Sequence, residues 1–139
     1  RFYRERDLPA RFQLSPASAP AGLEEALHAR GYRVHTATDV MVGALAGTHG
    51  SPAVTLSERV TEDWRRIMLG SSPDPADAAG RLAIVDAIRL PRRHALARLD
   101  GAAAAVGLGV LDRGRLGIYA MRTLPSHRRR GLARSIVAS

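Results

Sequence analysis

The chain has 139 residues, 45% of them hydrophobic, with no cysteine and a formal net charge of +8. The length suits one domain or parts of two, and the missing cysteine excludes disulfides, thiolate metal ligands and a cysteine nucleophile. All 21 basic residues are arginine, a bias that discounts a nucleic-acid reading drawn from charge alone but leaves an anionic ligand or partner expected.

No apolar run approaches the ~18–20 residues of a membrane span. A cysteine-free composition is compatible with a reducing cytoplasm, the expected location. The chain opens at Arg1-Phe2-Tyr3 without an initiator Met. It stops at Ser139, inside the apolar-periodic segment Leu132/Ile136/Val137, so it reads as a fragment of something longer.

In chain order, Arg1–Arg6 reads as the tail of a helix and Arg11–Ser15 as a short strand, followed by a turn-rich link over Pro16–Pro20. Ala21–Arg30 is a predicted helix with Leu23, Ala26 and Leu27 on one face and Gly31 as its stop. Tyr32–Thr36 and Val40–Leu45 read as strands. The run Gly47-Thr48-His49-Gly50-Ser51-Pro52 is the expected linker between two domains, 1–46 and 53–139.

After the linker, Ala53–Leu56 is strand-like. Thr61 reads as an N-cap, with Glu62 and Asp63 in the first turn and Gly70 closing a short helix. A second helix opens at Asp74-Pro75 and closes before Pro91, with an apolar stripe of Leu82, Val85 and Ile88. Three strands then follow. His94–Leu99 meets Ala102–Leu111 through the hairpin signal Asp100-Gly101, and Asp112-Arg113-Gly114 turns into Arg115–Thr123. The alanines 102–105 favour helix by propensity. The flanking turns, Gly107 and Gly109 overrule that reading.

The richest chemistry lies at the exit of the last strand. Thr123-Leu124-Pro125 leads into Ser126-His127-Arg128-Arg129-Arg130-Gly131-Leu132-Ala133, with helix expected to resume around Arg129. A helix start offers unpaired N–H groups and the positive end of its dipole. The arginines add donors suited to phosphate, and Gly131 admits a ligand close to the backbone. The site predicted is a pyrophosphate held at a strand–loop–helix junction. His28, His35, His49, His94 and His127 show no metal-site spacing, so no metal is expected. Trp64 reads as core, or less readily as a wall of a substrate site.

These residues resemble the GNAT acetyltransferase superfamily, whose acyl-CoA motif is Arg/Gln-x-x-Gly-x-Gly/Ala at a helix start. Arg128-Arg129-Arg130-Gly131-Leu132-Ala133 matches it, and the order β-α-α-β-β-β-α from Ala53 is similar to the family's first half. Arg11–Val42, with Gly31-Tyr32 after a helix and Met41 on a later strand, looks like the second half of such a unit. The resemblance therefore implies a mixed α/β fold with a mostly antiparallel central sheet flanked by helices. It also implies the junction of two GNAT-like units, the second binding acyl-CoA.

The activity so implied is transfer of an acetyl group from acetyl-CoA to an amine, on a small molecule or a protein, by direct attack in a ternary complex. By the same resemblance, backbone N–H groups of Arg128, Arg129, Arg130, Gly131, Leu132 and Ala133 hold the pyrophosphate. Backbone groups of Met121, Arg122 and Thr123 pair with the pantetheine arm as an added strand. An amide of Thr123 or Met121 polarises the thioester carbonyl. The proton acceptor stays open, because this strand carries Tyr119 and Arg122 but no Asp or Glu. Tyr119 and Glu58 are the candidate catalytic residues, with Glu62 and Asp63 as further carboxylates near the acceptor side. The alternatives are a non-catalytic acyl-CoA-binding module and, less favoured, a basic nucleic-acid-binding domain, for which no aromatic stacking platform is visible.

Overall fold

The computed structural model describes residues 3–7, 10–44, 53–70 and 75–139, which fall into two compact units, 1–43 and 44–139. The linker expected at 47–52, His49 within it, Leu45 and the helix start at Asp74 lie outside the described residues.

The first unit contains a 3-10 turn at Arg4–Arg6 and one helix, α1 (Leu23–His28). Gly22 precedes α1 at φ 78°, and Gly31 follows it at φ 83°, a left-handed turn that suits glycine. The strands expected at Arg11–Ser15, Tyr32–Thr36 and 40–44 are not formed. A strand needs a neighbour for its backbone donors and acceptors, and these segments have none among the described residues. Their side chains show the same thing: Val40, Met41 and Val42 are 79%, 91% and 93% exposed. Phe12 and Tyr32 meet edge to face at 5.3 Å across the unit.

The second unit is built on a four-stranded sheet of order β1 (Val54–Ser57), β2 (Arg92–Leu99), β3 (Ala102–Asp112) and β4 (Arg115–Thr123), every neighbouring pair antiparallel. The hairpin β2–β3 turns through Asp100 and Gly101 and β3–β4 through Arg113 and Gly114, all four at positive φ, as the twist of a two-residue hairpin requires. Ala102–Ala105 is strand despite its helical propensity. The turns fix its neighbours, and the ladder supplies its backbone partners.

Helices α2 (Glu62–Leu69) and α3 (Pro75–Ala87) join β1 to β2, and α4 (Leu132–Val137) follows β4. Thr61 caps α2 as expected, its hydroxyl accepting from the Trp64 amide at 3.2 Å. One sheet face carries Leu96, Val106, Leu108 and Val110 against Trp64 and Ile67 of α2 and Val85 of α3. The other carries Ala95, Ala97, Ala104 and Ala105 against Leu132 and Ile136 of α4. Trp64, at 0% exposure, is core. Burying side chains such as Ile67 and Val106 stabilises the unit by roughly 1.5–3 kcal/mol each.

His94 is the polar residue of this core, at 2% exposure. Its Nδ1 lies 3.3 Å from the Ser57 carbonyl of β1, its ring meets Trp64 edge to face at 5.1 Å, and its Nε2 has no partner. Burial pushes its pKa below the usual 6.5; the nearby charge of Arg92 lowers it further, while the bond to Ser57 and the charge of Asp86 on α3 oppose the shift. A histidine neutral in the fold takes up a proton on unfolding. Its contribution is therefore fully present above about pH 6.5 and is lost as pH falls toward the lowered folded value. Melting temperature is expected to drop between pH 7 and pH 5, and His94→Phe to flatten that limb. An unchanged acid limb in the variant would contradict this assignment.

Candidate functional site

Among the described residues the last strand lies at the sheet's edge, and its pairing with β3 is interrupted. Leu108 opposes Tyr119 and Val106 opposes Arg122, so Gly107 faces the two residues Ala120 and Met121 across a β-bulge. Ala120 takes the left-handed conformation at φ 52°. Beyond the bulge, the Leu124 amide donates to the Ala104 carbonyl at 2.9 Å, at the point where β3 carries its own irregularity against β2. Alternation back from Leu124 then turns the amide of Thr123 outward, away from β3. Thr123 is one of the two residues whose amide is expected to face a ligand; the other, Met121, lies within the bulge.

Gly107 is glycine for a packing reason. A Cβ there would lie 2.7 Å from Met121 Sδ and 2.8 Å from Ile136 Cγ2. On the opposite face its carbonyl accepts from the Trp64 indole Nε1 at 3.0 Å. Sequence reasoning flagged Gly107 only as a helix breaker and did not find this contact.

Past Thr123 the chain makes a 3-10 turn over Pro125–His127, then bends twice, with Arg129 at φ 59° and Gly131 at φ 77°. Helix resumes at Leu132 rather than around Arg129, because two left-handed residues in three cannot continue a right-handed helix. The set of free amides shifts accordingly. The Arg128 amide is used internally, donating to the Pro125 carbonyl at 3.4 Å. The amides of residues 129–134 have no acceptor among the described residues, so Arg134 joins the expected group and Arg128 leaves it. Backbone N–H groups bent through left-handed residues form a concavity suited to an anion. Arg128 folds back, its Nε 3.5 Å from the Thr123 carbonyl, while Arg129 and Arg130 are exposed and have no partner among the described residues. His127 pairs with the neighbouring Ser126 hydroxyl at 2.8 Å. Leu132 is buried and contributes only its backbone, and Ala133 is exposed beside it.

The catalytic candidates do not converge. Tyr119 is 57% exposed and lies over Gly117 on the α2 face of β4. Glu58 follows β1, on the far edge of the sheet, and forms an exposed ion pair with Arg93 at 2.9 Å. The row Ser57–His94–Leu108–Tyr119 crosses three strand spacings, about 14 Å. Asp63 pairs with Arg66 at 2.8 Å and Arg98 at 2.7 Å, and these two guanidinium bonds hold its carboxyl below the usual 3.8. A carboxylate so occupied is a poor proton acceptor. Glu62 is exposed in the first turn of α2.

Among the described residues, no three His, Asp or Glu side chains gather as a metal set. No helix among them is long and apolar enough to cross a membrane. A cleft of about 560 Å³ opens at the other end of β4, between Leu116, Ile118 and Val137, and none of the residues expected to hold a cofactor lines it. The free amides stand at an open edge instead. Replacing Gly107 with Ala is expected to destabilise the unit by about 1–3 kcal/mol in chemical denaturation, through the overlap with Met121 and Ile136. A neutral result would mean that α4 does not close on the sheet as described. Comparison with protein-family models and with curated proteins finds no match to this chain.

Proposed function

We propose that the unit from Ala53 onward binds acyl-CoA and transfers its acetyl group to an amine, as the first half of a GNAT-like unit, with residues 1–46 as the second half of another. One observation carries the reading. A bulged edge strand with an outward amide at Thr123 just past the bulge runs directly into a turn of free amides beside Arg128, Arg129 and Arg130. An extended ligand with amide groups at one end and a pyrophosphate at the other fits that sequence of donors.

In this reading the amides of residues 129–134 hold the pyrophosphate, and Arg129 and Arg130 add side-chain donors. The pantetheine arm lies along the outer edge of β4. Attack by the amine on the thioester carbon places negative charge on its oxygen, which the Met121 or Thr123 amide stabilises until the thiolate leaves. The amine must arrive deprotonated, or lose its proton to water or to a group outside the candidates named above. Catalysis then rests mainly on holding the two reactants together.

A second reading, a binding module without turnover, is favoured by two facts: β4 carries no carboxylate, and Asp63 is tied to two arginines. Thiol release from acetyl-CoA across a panel of amines separates the two.

Acetyl-CoA at about 100 times its dissociation constant should stabilise the protein by about 2.7 kcal/mol, seen as a rise in melting temperature. Gly131→Val should remove that rise. At φ 77° a β-branched residue is strained and reshapes the turn, while its Cβ meets no core atom within 4 Å, so a wild-type melting temperature without ligand in the variant ties the loss to the cradle. No response of the wild type to acetyl-CoA would reject both readings.

A further inference from the structure

Besides the Asp63–Arg98 pair to β2, two hydrogen bonds join α2 to β3 and β4, and both fall at the β4 bulge. Trp64 Nε1 donates to the carbonyl of Gly107, the residue the bulge skips. Arg122, the first residue paired after the bulge, donates through Nη1 to the Met68 carbonyl at 3.0 Å. Trp64 and Met68 are four residues apart, one above the other on one face of α2. The same face therefore grips β3 behind the bulge and β4 just beyond it. Neither bond is needed to form the helix. The Met68 carbonyl lies in the last turn, where it has no intrahelical partner. The Arg122 guanidinium supplies a charge-assisted one from a half-buried side chain.

We propose that α2 braces the bulge through these two bonds, and that Arg122 and Trp64 are positioning residues for the thioester end of the ligand. The proposal rests on the acyl-CoA reading of β4. A bulge with a left-handed Ala120 is strained, and without a fixed support it can slip by one residue, which would turn the Thr123 amide inward. Arg122 thus has a side-chain task separate from any contact of its backbone with the ligand.

The test compares acetyl-CoA with phosphoadenosine diphosphate, the nucleotide end of coenzyme A without its pantetheine arm. Arg122→Met keeps the aliphatic stem and loses the donor. It is expected to weaken acetyl-CoA binding about tenfold, the order set by one hydrogen bond from a charged group, and to leave the nucleotide fragment unaffected. Arg122→Lys should recover part of the loss. Arg66→Met, an exposed arginine of the same helix, should change neither affinity.

A second readout does not depend on any variant folding. Trp64 is the only tryptophan of the chain, so its fluorescence reports the Gly107 contact directly. Acetyl-CoA should shift that emission and the nucleotide fragment should not. Equal loss of both ligands in Arg122→Met, no loss of either, or a silent Trp64 would overturn the brace while leaving the acyl-CoA site standing. A wild type that binds neither ligand overturns the site, and the brace with it.

Discussion

The space around Gly107 is contested from three directions, and the second unit takes its form from how that contest is settled. Trp64 approaches from one face and takes the carbonyl. Ile136 approaches from the other, close enough that a single methyl group would collide with it. Met121 crowds the same position from the neighbouring strand. A side chain at this point would push α4 off the sheet or press the bulge flat. Glycine weakens a strand by itself, since it loses more freedom on folding and packs nothing of its own. Here the loss is offset by letting two helices and a bent strand meet in one place.

The alanine-rich centre of the sheet extends the same logic. Ala97, Ala104 and Ala105 are fully buried, and small residues let α4 lie close over β2 and β3 although it contributes only Leu132 and Ile136 to the core. The opposite face is filled by larger groups, Trp64, Ile67, Val106 and Leu108. The sheet is thus asymmetric: a thick hydrophobic layer on the α2 side, and a thin one on the side where the chain turns toward its free amides.

How far the fold was legible from the residues follows from what each signal depends on. Asp100-Gly101 and Arg113-Gly114 specify their turns locally, because both positions need positive φ, and they carried β2, β3 and β4 with them. Thr61 announced α2 in the same way. The strands expected between Arg11 and Ala44 failed because alternation says a segment is fit for a sheet but not that a neighbour exists. The bulge at Ala120–Met121 was invisible for a related reason. Nothing in Gly117-Ile118-Tyr119-Ala120-Met121 marks it, since it is imposed by contacts with Gly107 and α2. At the candidate site, the glycine at 131 was legible as a left-handed turn residue. The later helix start was not, because the left-handed turn at Arg129 belongs to a residue type that seldom adopts it.

The bulge also governs which chains β4 can meet. An edge of nine residues with no partner among the described residues is ordinarily an invitation to any passing strand, and natural sheets spoil such edges with charge or irregularity. Here Ala120 breaks the run, leaving 115–119 on one side and only Arg122 and Thr123 on the other, with arginines at positions 115 and 122. A second β-strand laid along this edge would lose its register halfway and meet like charges if it came from another copy. A narrow ligand needing only one or two amides has no register to lose. The same irregularity that leaves an amide accessible at this edge thus disfavours the pairing of two copies along it.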